Sequence, residues 1–324
     1  MSEAGEQELV FSRLVVHEKK EVAKGIFSFE LRAPMQGDLP PFTAGAHVMV
    51  RAPNGTMRNY SLCNAPAERD RYVIAVKRDA FGRGGSISMT DELNVGDGID
   101  VSGPRNEFEL NTRATDYVFV AGGIGITPIL SMMRTLKARG DARFALYYCT
   151  RSPDMTAFRD ELSGQDWSSH VTIHHDFGDG ERAFDFWPVF EKPANNTHVY
   201  CCGPRPLMDA VRDMTGHWPE GHVHFESFGV DSTLLAQNEP FRVTLHRSGK
   251  SFEIPKGRSI LEILRDQGIR VPSSCESGTC GSCRTGLCSG AVEHRDMVLT
   301  DEEKASQIMI CVSRAKDSEL VLDL

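Results

Sequence analysis

Four cysteines near the end of the chain constrain it more than any other feature. Cys275, Cys280 and Cys283 share one short loop with the spacing C-x4-C-x2-C, and Cys311 follows Cys283 after 27 intervening residues. This is the plant-type spacing of a 2Fe–2S centre with a distant fourth thiolate. Such a centre needs three thiolates from one tight turn. Gly278 and Gly281 let that turn wrap closely and aim backbone N–H groups at sulfur. Two plainer readings compete. Four cysteines can hold zinc, although zinc sites usually pair two short knuckles, and a reduced core can simply contain thiols. Cys288 also lies near the cluster. The glycine-rich loop favours Cys275 as the ligand and leaves Cys288 as a small buried residue. Of the nine cysteines, five fall between Cys275 and Cys311, and that clustering points to metal or redox chemistry rather than disulfides.

The rest of the chain is long enough to house partners for such a centre. Its 324 residues suggest two domains or three small ones, and a 40% hydrophobic, 25% charged composition excludes wholesale disorder. A formal charge of −9 argues against nucleic acid as the main partner. No apolar run approaches the ~20 residues of a membrane span. The acidic N-terminus lacks the basic and apolar pattern of a secretion signal, so a cytoplasmic protein is expected.

Up to about residue 112, short alternating runs sit between turn residues. Leu9–His17, Ile26–Arg32, Ala46–Arg51, Arg71–Lys77 and Gly98–Ser102 read as strands of a sandwich or barrel, with a helix over Ser86–Leu93. From Tyr117 strands alternate with helices. Tyr117–Ala121, Arg143–Cys149, Val171–His175, His198–Cys202 and Val223–Glu226 are the strands; Thr127–Arg139, Thr156–Leu162 and Pro206–Thr215 are helical. That rhythm predicts a parallel sheet wound on both sides. A polar stretch at 229–238 reads as a linker. Beyond it, strands Phe241–Arg247 and Ser251–Ile254 flank a Ser248-Gly249-Lys250 turn, and a helix covers Ser259–Gln267. The expected domains are therefore 1–112, 113–228 and 239–324. The segment from Glu239 onward holds 12 basic and 13 acidic residues, so the charge excess lies before it.

Three further runs carry chemistry. Ala121-Gly122-Gly123-Ile124-Gly125-Ile126-Thr127-Pro128 joins an apolar strand to a helix, where backbone can approach a phosphate. It departs from the G-x-G-x-x-G fingerprint at Pro128, and an ordinary tight turn is its plain alternative. Cys201-Cys202-Gly203-Pro204 ends another strand on what would be the same rim. Alternation allows one of the two cysteines to face a ligand, and Cys202, beside the loop, is the choice; core packing is the alternative. Arg58-Asn59-Tyr60-Ser61-Leu62 combines a phosphate clamp, a ring for stacking and a hydroxyl. Gly82-Arg83-Gly84-Gly85-Ser86 offers a second phosphate cradle. Each alone reads equally as a solvated loop.

Taken together, these runs resemble the ferredoxin–NADP reductase superfamily. The order flavin, nicotinamide, then C-terminal ferredoxin is similar to one of its oxygenase-reductase subgroups. Particularly specific are Arg69-x-Arg71-Tyr-Val-Ile-Ala-Val-Lys77, Thr215-Gly-His-Trp218, Ser273 to Cys283 and His294-Arg-Asp-Met-Val-Leu299. The resemblance implies a multidomain fold: an antiparallel β-barrel flavin domain, an α/β parallel-sheet NAD domain and an α+β β-grasp plant-type ferredoxin domain. It implies FMN rather than FAD. Arg58 and the Gly84-Gly85-Ser86 turn would hold its phosphate, Tyr60 would pack on the flavin, Ser61 would bond near N5, and Val76 and Lys77 would line the site, with Asn59 at the variable motif position. Gly122, Gly123, Gly125, Thr127, Pro128, Cys202, Gly203 and Pro204 would take the nicotinamide cofactor, with Thr127 and Cys202 bordering its ring and Phe225-Glu226 by the flavin face. NADH fits better than NADPH. Arg151 follows one strand end, but Asp154 and Asp176 lie near plausible adenosine positions and could reject a 2′-phosphate. Cys275, Cys280, Cys283 and Cys311 would hold the cluster.

The implied activity is a division of electron pairs: a hydride from NADH to FMN, then single electrons through the 2Fe–2S centre to a separate Rieske-type oxygenase acting on an aromatic carboxylate. The catalytic residues by this reading are Ser61, Thr127 and Cys202, in a protein expected to be monomeric. The 11 histidines, including His174-His175, read as structural or surface groups. An NADH oxidase that reduces oxygen is one competing reading, and a redox sensor or zinc-bound interaction module is another.

Overall fold

The computed structural model describes residues 10–80, 82, 84–228 and 238–324. Leu9, Arg83 and 229–237 of the expected linker lie outside the described residues. The described chain forms two compact units that divide between His224 and Phe225.

The first unit opens with six antiparallel strands: β1 (Phe11–Ala23), β2 (Ile26–Arg32), β3 (His47–Arg51), β4 (Met57–Ser61), β5 (Tyr72–Lys77) and β6 (Gly98–Ser102), in the order β4-β3-β6-β1-β2-β5. A bridge between Leu62 and Ile74 joins the two outer strands and closes the sheet into a barrel. Closure follows from the sequence alternation. Leu14/Val16, Phe29/Leu31, Val48/Val50, Ile74/Val76 and Ile99/Val101 each repeat at a spacing of two and fill one interior. Helix α1 (Gly85–Asp91) is followed by Leu93; Met89 and Leu93 join the same core. The first strand is longer than expected and runs on to Ala23, because Glu18 to Glu21 pair with β2 despite carrying charge. Tertiary pairing overrides local polarity there.

A five-stranded sheet follows, its last strand crossing the division after His224. Its strands are β7 (Asp116–Gly122), β8 (Arg143–Thr150), β9 (Val171–His175), β10 (Thr197–Cys202) and β11 (Val223–Glu226), in the order β11-β10-β7-β8-β9. β7 pairs in parallel with β8 and β10, and β8 with β9. All six residues of β10 are buried, as a strand covered on both faces requires. Helices α2 (Ile126–Arg139), α3 (Arg159–Leu162), α4 (Trp187–Phe190) and α5 (Arg205–Met214) connect the strands. The helix expected over Thr156–Leu162 shortens to α3, because Phe158 adopts φ 59°, a left-handed conformation that no helix interior tolerates.

The second unit contains β12 (Phe241–Leu245), β13 (Ser251–Ile254), β14 (Arg284–Ser289), β16 (Gln307–Met309) and β18 (Glu319–Leu322) in one mixed sheet, order β13-β12-β18-β14-β16. The small ladder β15 (Val292–Glu293) with β17 (Arg314–Ala315) lies outside that sheet. Helix α6 (Ile260–Asp266) buries Ile260, Leu261 and Leu264, which join the same core as the sheet. It starts at a capping box: Ser259 accepts from the Glu262 N–H, and the Glu262 carboxylate accepts from the Ser259 N–H. One helix on a mixed sheet is the expected β-grasp arrangement.

Candidate functional site

The flavin motif occupies β4. Its register sets Arg58 opposite Val50, Asn59 opposite Met49, Tyr60 opposite Val48 and Ser61 opposite His47. Asn59 is exposed, whereas Ser61 is buried and Tyr60 packs against the barrel core. The Gly84-Gly85-Ser86 turn meets Arg58 directly. A β-carbon at Gly85 would lie 2.9 Å from Arg58 Nε and 2.7 Å from Thr56 Oγ1, and Gly84 has φ 80°. Only glycines allow the guanidinium and the turn backbone to converge this closely. Ser86 Oγ accepts the Asp79 N–H at 3.1 Å.

Two buried polar atoms in this motif have no hydrogen-bond partner: Tyr60 OH and Ser61 Oγ. A buried hydroxyl without a partner is destabilising unless a ligand completes it. Burial also raises the Tyr60 phenol to about 12, so it stays a neutral donor. The clamp, the turn and the two orphaned hydroxyls fit a flavin mononucleotide. Val76 belongs to the barrel core while Lys77 is exposed, so their side chains occupy opposite faces of β5.

The two glycine loops of the parallel sheet interlock. A β-carbon at Gly125 would sit 2.1 Å from the Cys202 carbonyl oxygen. One at Gly203 would sit 2.9 Å from Gly122 Cα, and one at Gly122 would sit 2.4 Å from Pro204 Cδ. Gly123, at φ 53°, has no atom within 4 Å of such a position, so the space beside its α-carbon is open. These loops end β7 and β10, the adjacent strands at which the strand order reverses direction. Parallel sheets bind ligands in the crevice at that switch point. Thr127 is buried and donates to the Ile124 carbonyl at 3.0 Å, which fixes the first turn of α2; Pro128 is buried beside it. Cys201 and Cys202 are both buried, with Cys202 in the core shared with α2.

Arg151 and Asp176 come together at the ends of β8 and β9. The Asp176 N–H bonds the Thr150 carbonyl, the Phe177 N–H bonds the Arg151 carbonyl, and Asp176 Oδ1 accepts from Gly178 N–H at 2.8 Å. Asp154 is exposed and lies 3.9 Å from Lys24. Phe225 and Glu226 are the last, half-buried residues of β11.

The three loop thiols and Cys311 interact as two pairs, Cys275 with Cys280 and Cys283 with Cys311. Cys275 N–H reaches the Cys280 sulfur at 3.5 Å, and Ser277 N–H reaches the Cys275 sulfur at 3.4 Å. The hydrogen bond with Cys280, then those with Ser277, pull the Cys275 thiol down, against the effect of burial. Cys283 is likewise lowered by its contact with Cys311. Their partners Cys280 and Cys311 shift the opposite way, so within each pair one thiol is lowered and the other raised. Gly278 and Gly281 have φ 79° and 82°. These donors fit a 2Fe–2S centre. Cys288 departs from expectation. It is exposed, because the β14–β18 register slips between Leu287 and Ser289 and leaves it at a bulge.

One set of residues escaped the sequence reading. Ser131 Oγ donates to the Asn64 carbonyl at 2.8 Å, and Arg134 Nη1 to the Cys63 carbonyl at 2.7 Å. With Thr127 they form an i, i+4, i+7 stripe on α2, and that spacing was the signal available. Helix α2 therefore grips the chain just beyond Ser61 while its first turn shapes the glycine loop.

Comparison with known proteins agrees with this division. Residues 13–110 match the family model of an oxidoreductase FAD-binding domain, 119–213 an oxidoreductase NAD-binding domain, and 243–316 a 2Fe-2S iron-sulfur cluster binding domain. The chain is 66% identical over 314 residues to the phthalate 4,5-dioxygenase oxygenase reductase subunit of Pseudomonas putida, covering 97% of each. It is 63% identical over 318 residues to the phthalate dioxygenase reductase of Burkholderia cepacia, covering 98% of this chain and 99% of that one. A solved phthalate dioxygenase reductase, described as modular for electron transfer from pyridine nucleotides to [2Fe-2S], superposes with a TM-score of 0.79 at 63% identity, covering 97% of this chain and 98% of that one.

Proposed function

Because the chain belongs to the phthalate dioxygenase reductase family, we propose that it is the NADH-dependent reductase of a Rieske-type oxygenase acting on an aromatic carboxylate such as phthalate. It is an iron–sulfur flavoprotein oxidoreductase, using FMN, NADH and a 2Fe–2S centre to deliver electrons to an oxygenase. The observation that carries the reading of the site is the tie between the two halves of the first unit. The flavin motif and the glycine loop are joined through one helix, by Ser131 to Asn64 and Arg134 to Cys63.

When bound, the flavin accepts electrons in pairs and releases them singly, which is what a hydride donor and a one-electron centre require. The chain supplies position, dryness and charge. Arg58 and the Gly84–Ser86 turn hold the phosphate. Tyr60 OH and Ser61 Oγ would find in the flavin the hydrogen-bond partner the protein does not give them. Gly122, Gly123 and Gly125 bring backbone to the dinucleotide, and Thr127 with Cys202 border the nicotinamide. Holding reacting atoms within about 3.5 Å is the main lever available to such a site. Cys275, Cys280, Cys283 and Cys311 ligate the iron.

Asp176 selects NADH by opposing a 2′-phosphate, with its carboxylate oriented by the Gly178 N–H. An Asp176→Ala variant should gain rate with NADPH relative to NADH; an unchanged preference removes Asp176 from this role. We take the domains as 1–112, 113–228 and 239–324, and the protein as a cytoplasmic monomer. Among the described residues no helix is long and apolar enough to cross a membrane, and an electron path within one chain needs no dimer. The nearly neutral charge of residues 239–324 supports docking that does not rest on one large acidic patch, and steep salt dependence of oxygenase reduction would contradict it.

The test is an anaerobic NADH titration of the purified protein followed by visible and EPR spectra. Flavin bleaching with a reduced 2Fe–2S signal is expected. Bleaching without that signal would overturn the reading.

A further inference from the structure

His294-Arg295-Asp296 stands out in the sequence, yet nothing in the electron path above uses it. The Asp296 side chain is completely buried. Its Oδ2 accepts the Val298 and Leu299 N–H groups at 3.2 and 2.9 Å, closing a tight turn. Its Oδ1 is buried without a hydrogen-bond partner and faces His294 Nδ1, also buried and unpartnered, at 3.6 Å. His294 is the only basic side chain within ion-pair distance among the described residues. The neighbouring Arg295 is committed elsewhere, to Glu293 at 2.8 Å and to Asn238 at 2.8 Å.

This turn is pressed against the cysteine loop. The Met297 N–H bonds the Gly278 carbonyl at 2.9 Å. A β-carbon at Gly278 would lie 3.2 Å from Asp296 Cα and 2.7 Å from Val312 Cγ2. Gly278 thus sits between Asp296 and the residues around Cys311, inside the loop that carries Cys275 and Cys280. Closing the turn uses only Oδ2, and a buried Oδ1 without a hydrogen bond is costly, so the turn alone does not account for the carboxylate.

We propose that Asp296 is a positioning residue for the iron–sulfur centre: its turn pins Gly278, and its buried carboxylate sets the potential at which the centre accepts an electron. The inference rests on the cluster assignment above. The electron is the one delivered by NADH through the flavin, and nothing else is consumed. Net charge near an iron–sulfur centre is an established lever on its potential.

The test compares wild type, Asp296→Asn and Asp296→Glu holoproteins by iron and sulfide content and by EPR-monitored redox titration. At the poise that half-reduces the wild-type centre, Asp296→Asn should raise the ratio of reduced to oxidised centre roughly tenfold, ~59 mV for one electron. Asp296→Glu should stay within about twofold of wild type, and the flavin transition in the same titration should not move. An intact centre with an unmoved midpoint in Asp296→Asn overturns the proposal. If Asp296→Asn assembles no centre, Asp296→Glu decides: a centre with the wild-type midpoint supports a role for the charge, and loss in both variants reduces Asp296 to packing. A wild-type protein lacking the two-iron signal would refute the cluster assignment instead.

Discussion

Replacing Gly125 by alanine tests the interlocked glycine loops most directly. The added carbon would lie 2.1 Å from the Cys202 carbonyl oxygen and 2.5 Å from its carbon, against the 3.4 Å at which ordinary contact begins. The obstacle is backbone, so no side-chain rotation relieves it. The two loops must part by about 1 Å, an overpacking cost of ~1–3 kcal/mol. A displacement of that size at a site that aligns reacting atoms can cost about 10²-fold in rate. Anaerobic stopped-flow reduction of the flavin by NADH reads this out, with flavin content as the control. Gly125→Ala should lower the second-order rate by about 10- to 100-fold and leave bound flavin unchanged. Gly140→Ala separates the steric effect from backbone strain. Gly140 ends α2 at φ 70° with nothing within 4 Å, so its substitution should cost ~1 kcal/mol of stability and leave the NADH reaction intact. Equal NADH rates in wild type and Gly125→Ala would refute the argument that these loops must touch to bind the dinucleotide.

Other perturbations follow from the same geometry. Cys280→Ser should abolish the 2Fe–2S EPR signal and oxygenase reduction while single-turnover flavin reduction continues; loss of both would contradict the modular path. Tyr60→Phe removes an unpartnered buried hydroxyl, so the flavin-free protein should melt no lower than wild type, whereas flavin affinity, measured by fluorescence quenching, should fall about 5- to 10-fold. Burial, then the neighbouring His198 and His222, lower His224 to about 4, below the ordinary histidine value of about 6.5. The unfolded chain therefore takes up a proton that the folded one refuses, and stability should be lost as pH falls from about 6.5 towards 4. His224→Gln should flatten that limb of a pH-dependent melting series, and an unchanged limb would locate acid sensitivity elsewhere.

Much of this molecule is readable from sequence because two periodicities dominate it. Pairs such as Val48/Val50 and Ile74/Val76 announce the barrel, and the buried run of β10 announces the parallel sheet. The cysteine spacing carries its chemistry without any structural help. What stayed hidden depends on contacts between segments far apart in the chain. The bulge that exposes Cys288 belongs to pairing with β18, more than 30 residues away in sequence. The left-handed Phe158 that shortens α3 has no glycine to advertise it. His198, His222 and His224 read singly as structural histidines, yet they stack, with His198 Nδ1 and His224 Nε2 3.0 Å apart. Asp296 was visible as part of a distinctive run, but its burial and its unpaired oxygen exist only once the turn folds against Gly278.

The polar stripe on α2 explains why two sites made by separate sequence segments can act as one. Thr127 fixes the turn that leads out of the glycine loop, and Ser131 and Arg134 hold the carbonyls of Asn64 and Cys63. Those carbonyls follow Ser61 by only two and three residues, so the flavin strand cannot shift against the nucleotide loop without breaking buried hydrogen bonds. Arg134 also pairs with Glu161 at 2.7 Å, which adds a third segment to the same anchor. A buried serine and a part-buried arginine are poor choices for a helix whose task is only to cover a sheet, because each must find a partner to offset its desolvation. Their partners are backbone groups just beyond the Arg58–Leu62 motif, and that choice ties the position of this strand to the position of the glycine loop. Rigid registration of this kind is what direct hydride transfer demands, since the reacting atoms have no chemistry from the protein beyond their placement.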